Sequence, residues 1–364
     1  MTAVTQTTSA PTATKARPLV LAEKAVTSTL SRTSSDSLTR KCRLLEIENL
    51  ADWLKAADRA GDVRGVLITG RSFVDDDVLD RMPSLDVVSV RAVGYDRVSI
   101  PACAARGVTV CNTPGVLDGA VADFTMLLIL ALARRLRDNI QDALERWQSP
   151  GFSVALGTDV RGKTLGILGM GRIGSLVAQT AASGFGMNVQ YHSRKEATPA
   201  RARGARFVGR DELFEAGDFV SIHLPLTAET RGSIGDAEFA LMQETAFLVN
   251  TSRGEVIDEK AVVEALDQRK IAGAALDVTT AEPYPSNGPL QRDDVLLTPH
   301  AASATWETRQ AMSDLAASSL LEVLCGGKPA TVLTPDFRKG KCARTQPSHP
   351  TKSAIHTKPG KRKD

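Results

Sequence analysis

Three short segments set acid, base and anion-binding groups at the ends of apolar runs. Asn250-Thr251-Ser252-Arg253-Gly254 follows one run, Asp277-Val278-Thr279-Thr280-Ala281-Glu282-Pro283 a second, and Thr298-Pro299-His300-Ala301-Ala302-Ser303 a third. In open α/β sheets, ligands bind beyond the carboxyl ends of the strands. An arginine held there must pair with an acid or face an anion. A histidine there can give and take a proton near neutral pH, and a carboxylate can orient its ring. Each group has a structural alternative: Arg253 could simply pair with Asp277, Glu282 could be a solvated loop acid, and His300 could be an ordinary structural histidine. Three strand ends in succession bearing Arg, Asp/Glu and His favour a site. Of the five histidines, His349 and His356 lie in the tail, leaving His192, His223 and His300 for chemistry.

A second constellation lies upstream. Thr164-Leu165-Gly166-Ile167-Leu168-Gly169-Met170-Gly171-Arg172-Ile173-Gly174 reads as a strand running through a glycine turn into a helix. Gly169 would permit the tight turn, Gly171 would let the backbone approach a pyrophosphate, and Gly174 would let the helix pack on the strand. The N–H groups opening that helix, at Arg172 and Ile173, would face the anion. A second apolar strand over 187–191 ends in His192-Ser193-Arg194-Lys195, where a residue reading the adenosine ribose is expected. An acid there would accept from a 2′-hydroxyl; Ser193, Arg194 and Lys195 suit a 2′-phosphate instead. The expected cofactor is NADP(H), with NAD(H) as the alternative, and a solvated basic turn is the bland reading.

The elements that must position these groups alternate. Strands are expected at 18–21, 43–47, 65–70, 85–93 and 107–110, and again at 219–223, 246–250, 272–277 and 295–298. Helices are expected at 259–268 and 306–324, with a Ser/Thr-rich helix between the first two strands. Such alternation means parallel sheets covered on both faces. One long helix is expected over 120–147, apolar almost all round in its first half, which calls for burial on several sides and favours a homodimer.

At 364 residues with 24% charged and 42% hydrophobic side chains, the chain is long enough for two domains of ordinary globular composition. Its net charge of +3 is uneven: residues 338–364 hold nine Lys/Arg and one acid, so they carry +8 and the rest −5. Nucleic acid is therefore not an expected partner of the folded part. Five scattered cysteines without C-x-x-C spacing argue against a disulfide framework and a zinc site, so no metal is expected and the expected location is cytoplasmic. The longest apolar run, 124–133, is about half a membrane span, so no membrane partner is expected.

Taken together, Gly-Met-Gly-Arg-Ile-Gly, Val-Asn-Thr-Ser-Arg-Gly, Ala-Leu-Asp-Val with its Glu-Pro five residues beyond the Asp, and Thr-Pro-His-Ala-Ala-Ser resemble the D-isomer-specific 2-hydroxyacid dehydrogenase family. Val93-Gly94-Tyr95-Asp96, Asn112-Thr113-Pro114 and Val121-Ala122-Asp123 are similar too, and the likeness spans about 60–333. It is strongest to the NADPH-linked glyoxylate/hydroxypyruvate reductases. The resemblance implies an α/β fold of two Rossmann-like parallel-sheet domains, a flavodoxin-like outer one and a dinucleotide-binding inner one, with a cleft between them. It implies a disordered leader (1–16), a substrate-binding domain from 17–112 and 300–334, a dinucleotide-binding domain from 113–299, and a disordered basic tail (335–364). It further implies a catalytic trio of Arg253, Glu282 and His300. Arg253 and His300 would also hold the substrate, the backbone at Val93 and Gly94 would complete its carboxylate pocket, Asp277 would accept from the nicotinamide carboxamide, and His223, Pro225, Thr230 and Thr251 would line the cofactor cleft. The implied reaction is reduction of glyoxylate or hydroxypyruvate to a D-2-hydroxy acid. The alternatives are the same fold acting on a 2-ketoaldonate, 3-phosphoglycerate or phosphite, and a nucleotide-sensing corepressor-like scaffold. Three departures from the family pattern bear on substrate preference: Ala302 in place of glycine, Thr279-Thr280 in place of an aromatic, and Arg97-Val98-Ser99 in place of a run ending in Asp.

Overall fold

The computed structural model describes residues 16–57 and 60–335; apart from one residue each, the leader and the basic tail lie outside them. Strands β1 (Leu19–Glu23), β2 (Arg43–Ile47), β3 (Val63–Thr69), β4 (Val87–Arg91) and β5 (Thr109–Cys111) pair in parallel in the order β2-β1-β3-β4-β5. Helices α1 (Lys24–Thr27), α2 (Arg32–Lys41), α3 (Leu50–Ala56), α4 (Asp76–Arg81) and α5 (Ile100–Ala105) link them. The Ser/Thr-rich stretch is helical, as expected: Ser31 caps α2 by accepting from the Ser34 N–H, and Leu38 buries its inner face.

Beyond β5 the chain crosses to a second sheet. Helices α6 (Asp118–Ala133) and α7 (Leu136–Glu145) precede β6 (Thr164–Leu168), α8 (Arg172–Phe185), β7 (Asn188–His192), α9 (Pro199–Ala202), β8 (Arg206–Phe207), α10 (Arg210–Ala216), β9 (Phe219–Ile222), α11 (Asp236–Leu241), β10 (Phe247–Asn250), α12 (Glu259–Asp267), β11 (Gly273–Leu276) and β12 (Val295–Leu297). The strands pair in parallel in the order β12-β11-β10-β9-β6-β7-β8. The final helix, α13 (Trp306–Leu324), returns to the first sheet, where the Ser89 hydroxyl donates to the Ala316 carbonyl at 2.7 Å.

The helix expected over 120–147 is two helices. It breaks at Arg135, whose φ of 47° turns the chain, and α7 resumes from Leu136. The break is stabilised from both sides: Thr158, in the returning loop, donates its N–H to the Ala133 carbonyl at 2.7 Å, and the side chain of Asn139, in the first turn of α7, donates to the carbonyls of Arg134 and Arg135. Carbonyls freed at a helix end need such partners, and nothing in the local composition signals one that arrives from twenty-odd residues away.

Each sheet is buried on both faces. Val66, Ile68, Val88 and Val110 pack with α3–α5, while Val20, Leu67 and Val87 pack against Ala316 and Leu320 of α13. Ile222, Leu248 and Leu276 lie with α10–α12, and Ile167, Val249 and Ala275 with α6 and α8. At roughly 1.5–3 kcal/mol for each fully buried Val, Leu or Ile, these cores hold the strand ends rigid while the loops beyond them carry polar groups. A smaller cluster of Leu117, Val121, Ala302 and Met312, touching Val93 and Ile173, joins the two halves beside the chain crossings.

Candidate active site

The glycine turn lies at the switch point of the second sheet, between β6 and β9. Gly169 has φ +105°, and a side chain there would come 2.5 Å from the His223 carbonyl of the neighbouring strand end. Gly171 is the N-cap of α8; it carries no capping side chain, and a Cβ on it would meet nothing within 4 Å. The first rung of the helix is Ser175 N–H to Gly171 O, so the N–H groups of Arg172, Ile173 and Gly174 have no intrahelical acceptor. An open, glycine-walled cradle with free donors fits a pyrophosphate. Arg172 stands at its rim, held by Asp118 at 2.9 Å.

At the end of β7, the His192 ring stacks on Phe207 and its Nδ1 meets the Val208 carbonyl at 2.9 Å, which removes it from chemistry. The Ser193 hydroxyl donates to the Lys195 carbonyl at 2.6 Å, while Arg194 and Lys195 are exposed and reach no carboxylate within ion-pair distance among the described residues. Across the cradle, His223 Nε2 bonds the Ser221 hydroxyl at 2.9 Å. Burial pushes its imidazole down to about 4, so it is neutral at pH 7 and does not serve as a proton donor. The loop after β9 is closed by Thr230, which donates to the Pro225 carbonyl at 2.6 Å, and the Thr251 and Thr125 hydroxyls lie 2.9 Å apart on the facing side.

The segment after β10 folds on Asn250, whose side chain donates to the Arg253 carbonyl and accepts from both the N–H and the hydroxyl of Ser252. Gly254 packs against the Thr279 backbone, too closely for any side chain. The arginine between them crosses to the first sheet. Its Nε donates to Asp96 at 2.8 Å and its Nη1 to the Ser252 carbonyl at 2.8 Å, while Nη2 occupies the space that a side chain on Gly94 would fill. The alternative pairing of Arg253 with Asp277 does not occur. Beside Nη2, the N–H groups of Val93 and Gly94 have no acceptor among the described residues, and the Val93 carbonyl is fixed by Asn112 at 2.8 Å.

Asp277, 1% exposed, organises the chain around the histidine: Oδ1 accepts from the Thr298 hydroxyl (2.6 Å) and the Ala301 N–H (2.7 Å), and Oδ2 from the Ala302 N–H (2.9 Å). This internal duty leaves room for one further donor on Oδ2. It also stabilises a backbone that His300 would otherwise avoid, with φ +57°. A non-glycine residue stays there only when its surroundings over-determine it. His300 Nδ1 meets Glu282 Oε2 at 2.9 Å and Oε1 at 3.1 Å; since a carboxylate only accepts, that nitrogen carries hydrogen and Nε2 is left for a ligand. Burial alone would raise the Glu282 carboxyl, but the hydrogen bond and charge of His300, with Arg71 3.9 Å away, outweigh it and hold the group below its ordinary value. Glu282 is therefore the ionised partner of the ring, not a solvated loop acid.

Arg253 seated against Gly94, and the His300–Glu282 pair with the chain that Asp277 holds, thus lie beyond the carboxyl ends of the neighbouring strands β10, β11 and β12, groups suited to holding a small anion and moving one proton. Sequence reasoning left three neighbours without a role. Asp96 appeared only as part of a motif, and Arg71 and Asp118 were not singled out; each acts through a partner 50 or more positions away, which no local pattern encodes.

The family model for D-isomer-specific 2-hydroxyacid dehydrogenase, NAD-binding domain, matches residues 126–302. The chain is 44% identical over 290 residues to the glyoxylate reductase of Aeropyrum pernix, covering 77% of this chain and 85% of that protein. It is 39% identical over 316 residues to that of Thermofilum pendens, covering 83% and 92%. Among solved structures it is similar to the glyoxylate reductase from Paecilomyes thermophila (TM-score 0.79, 31% identity, 88% and 99% coverage). It is also similar to the NADPH-dependent glyoxylate/hydroxypyruvate reductase from Sinorhizobium meliloti in complex with NADP and malonate (TM-score 0.77, 32% identity, 87% and 97% coverage). With two parallel sheets in flavodoxin-like and dinucleotide-binding orders and a trio of Arg, Glu and His at the strand ends, the chain belongs to the D-isomer-specific 2-hydroxyacid dehydrogenase family and is a nicotinamide-dependent oxidoreductase that reduces small 2-oxo acids.

Proposed function

We propose that the chain reduces glyoxylate and hydroxypyruvate to D-2-hydroxy acids with NADPH. What supports this reading is the Arg253 guanidinium seated against Gly94, beside the free N–H groups of Val93 and Gly94, together with the His300–Glu282 pair beyond the neighbouring strands. Arg253, fixed at Nε and Nη1, presents Nη2 to the substrate carboxylate, and the two N–H groups share that charge. The bound nicotinamide supplies the hydride that adds to the carbonyl carbon. His300 gives its Nε2 proton to the carbonyl oxygen as that oxygen becomes negative, and takes it back in the reverse direction. Glu282 fixes the ring by Nδ1, which leaves Nε2 to face the carbonyl oxygen. His223, kept neutral, is spared from competing for that proton.

Arg172, Ile173 and Gly174 would hold the cofactor's pyrophosphate, and Ser193, Arg194 and Lys195 a 2′-phosphate. Support for NADPH is the pair of unpaired cations where an acid would accept from a ribose hydroxyl. A homodimer is part of this reading: Leu136, Ile140, Leu144, Trp147, Val154 and Leu156 lie exposed along α7 and the loop after it. A contiguous apolar face of this kind marks an interface. The reading also places the protein in the cytoplasm, in keeping with Cys42, Cys103, Cys111 and Cys325 being free thiols. Steady-state oxidation of NADPH and NADH with each acid tests the function: glyoxylate and hydroxypyruvate should turn over, with NADPH giving the higher kcat/KM. Arg194→Glu combined with Lys195→Glu should lower kcat/KM for NADPH by roughly 10- to 100-fold, two charge-assisted contacts being lost. Absence of turnover with either acid, or indifference of the double variant to the 2′-phosphate, would defeat the respective claim.

A further inference from the structure

The first sheet has a switch point of its own, between β1 and β3, and the loop over it is built more firmly than a surface loop needs. Glu23, buried at the end of β1, accepts from the Thr69 N–H (2.8 Å), from the Leu50 N–H (3.1 Å) and from the Ser72 hydroxyl. On the other flank Arg97, one of the departures from the family pattern, donates Nη1 to the Arg71 carbonyl at 2.9 Å and lies 4.9 Å over the Phe73 ring. A bridge between Val74 and Val98 ties the loops together. All of this immobilises the backbone of Arg71, yet its side chain is 64% exposed and makes no hydrogen bond among the described residues; its nearest carboxylate is Glu282, at 3.9 Å.

A second guanidinium lies within reach of its charge. The guanidinium of Arg309, in the first turn of α13, has no hydrogen bond or ion pair among the described residues; half-buried, it is held below its ordinary value first by burial and then by the charge of Arg71, with Asp277 only partly offsetting them. Arg91, at the end of β4, adds a third cation: its Nη1 donates to the Ala25 carbonyl at 2.7 Å and the Thr29 hydroxyl at 3.1 Å, and its Nε is buried without a partner. The carboxylates nearby are already committed: Glu23 to three donors, Asp277 to three, Glu282 to the ring of His300. Arg71 has only Glu282, at 3.9 Å and shared with His300, and the Arg309 guanidinium has no acceptor among the described residues; like charges so placed are costly unless an anion joins them.

We propose that Arg71 and Arg309 form a second anion subsite, on the Glu282 side of His300, which takes the far end of the substrate when that end is a carboxylate. The claim rests on the trio acting on 2-oxo acids, and deepens it: the favoured substrate class is the short 2-oxo dicarboxylate. Arg253 then holds the carboxylate next to the reacting carbonyl, and Arg71 with Arg309 the second one. Arg97 and Glu23 are positioning residues for Arg71.

The test compares kcat/KM for oxaloacetate with that for 2-oxobutanoate, which has the same chain length and a neutral end, in the full chain and in Arg71→Leu. Arg71 is exposed, so the variant should fold, as an unchanged thermal midpoint would verify. The dicarboxylate should be preferred by the wild type, and the substitution should shrink that preference by roughly 10- to 100-fold, the range for a charge-assisted hydrogen bond; Arg71→Lys should restore part of it. A wild-type enzyme that reduces glyoxylate but does not favour the dicarboxylate, or a ratio untouched by Arg71→Leu, would overturn the subsite and leave the trio standing. Failure to reduce any 2-oxo acid would overturn the function and the subsite with it.

Discussion

Replacing Gly94 by alanine tests the site with a single methyl group. The backbone at Gly94 is not among those in the left-handed region, so alanine costs no backbone strain and the fold should survive. The new Cβ would lie 2.5 Å from Cζ of Arg253 and overlap Nη2, whereas ordinary contact begins near 3.4 Å. The guanidinium must therefore move by about 1 Å or more, and its bonds to Asp96 and the Ser252 carbonyl leave it no slack in that direction. A misplacement of about 1 Å at a substrate-holding group costs on the order of 100-fold in rate. Steady-state kinetics with glyoxylate should show kcat/KM falling by about that factor, and a thermal melt should show a nearly unchanged midpoint. A Gly94→Ala enzyme with wild-type kcat/KM would refute the placement of Arg253 against the substrate pocket.

Glu282→Gln should lower kcat for glyoxylate reduction and remove the acid limb of its pH profile, because the titrating carboxylate that orients His300 is gone. The sign follows from the lowered Glu282 carboxyl: its support is complete above the ordinary carboxyl range and lost only as pH falls through the lowered value. An unchanged pH profile would reject that role. Leu144→Glu with Leu156→Glu, both on the exposed apolar face, should convert a sedimenting dimer to a monomer; a wild-type chain that already sediments as a monomer would dismiss the interface.

Much of the frame was legible because the sheets are parallel and doubly covered, so each strand is a short apolar run closed by a turn residue; β4, β9 and β10 fall where such runs predict them. The strand ends were legible for the same reason, since Arg253, Asp277 and His300 each come directly after one. Relations across the cleft were not. Arg253 seeks Asp96, 157 positions away, and Arg71 approaches Glu282 from the other sheet; spacing along the chain carries no record of either. Gly94 was expected to serve the carboxylate pocket through its backbone alone, and only the folded chain shows a guanidinium in the place of its missing side chain. The break at Arg135 was hidden because Arg-Arg fits helical spacing and the deciding bond, from Thr158, comes from outside the segment.

The central claim is that His300, backed by Glu282, protonates the carbonyl oxygen of an acid held by Arg253. Single-turnover oxidation of bound NADPH by glyoxylate in His300→Asn measures that step directly. A loss of about 100- to 10,000-fold in the rate of the step, the range for a removed general acid, with glyoxylate and cofactor affinities nearly unchanged, is the predicted result. Turnover within a few-fold of the wild type would contradict it.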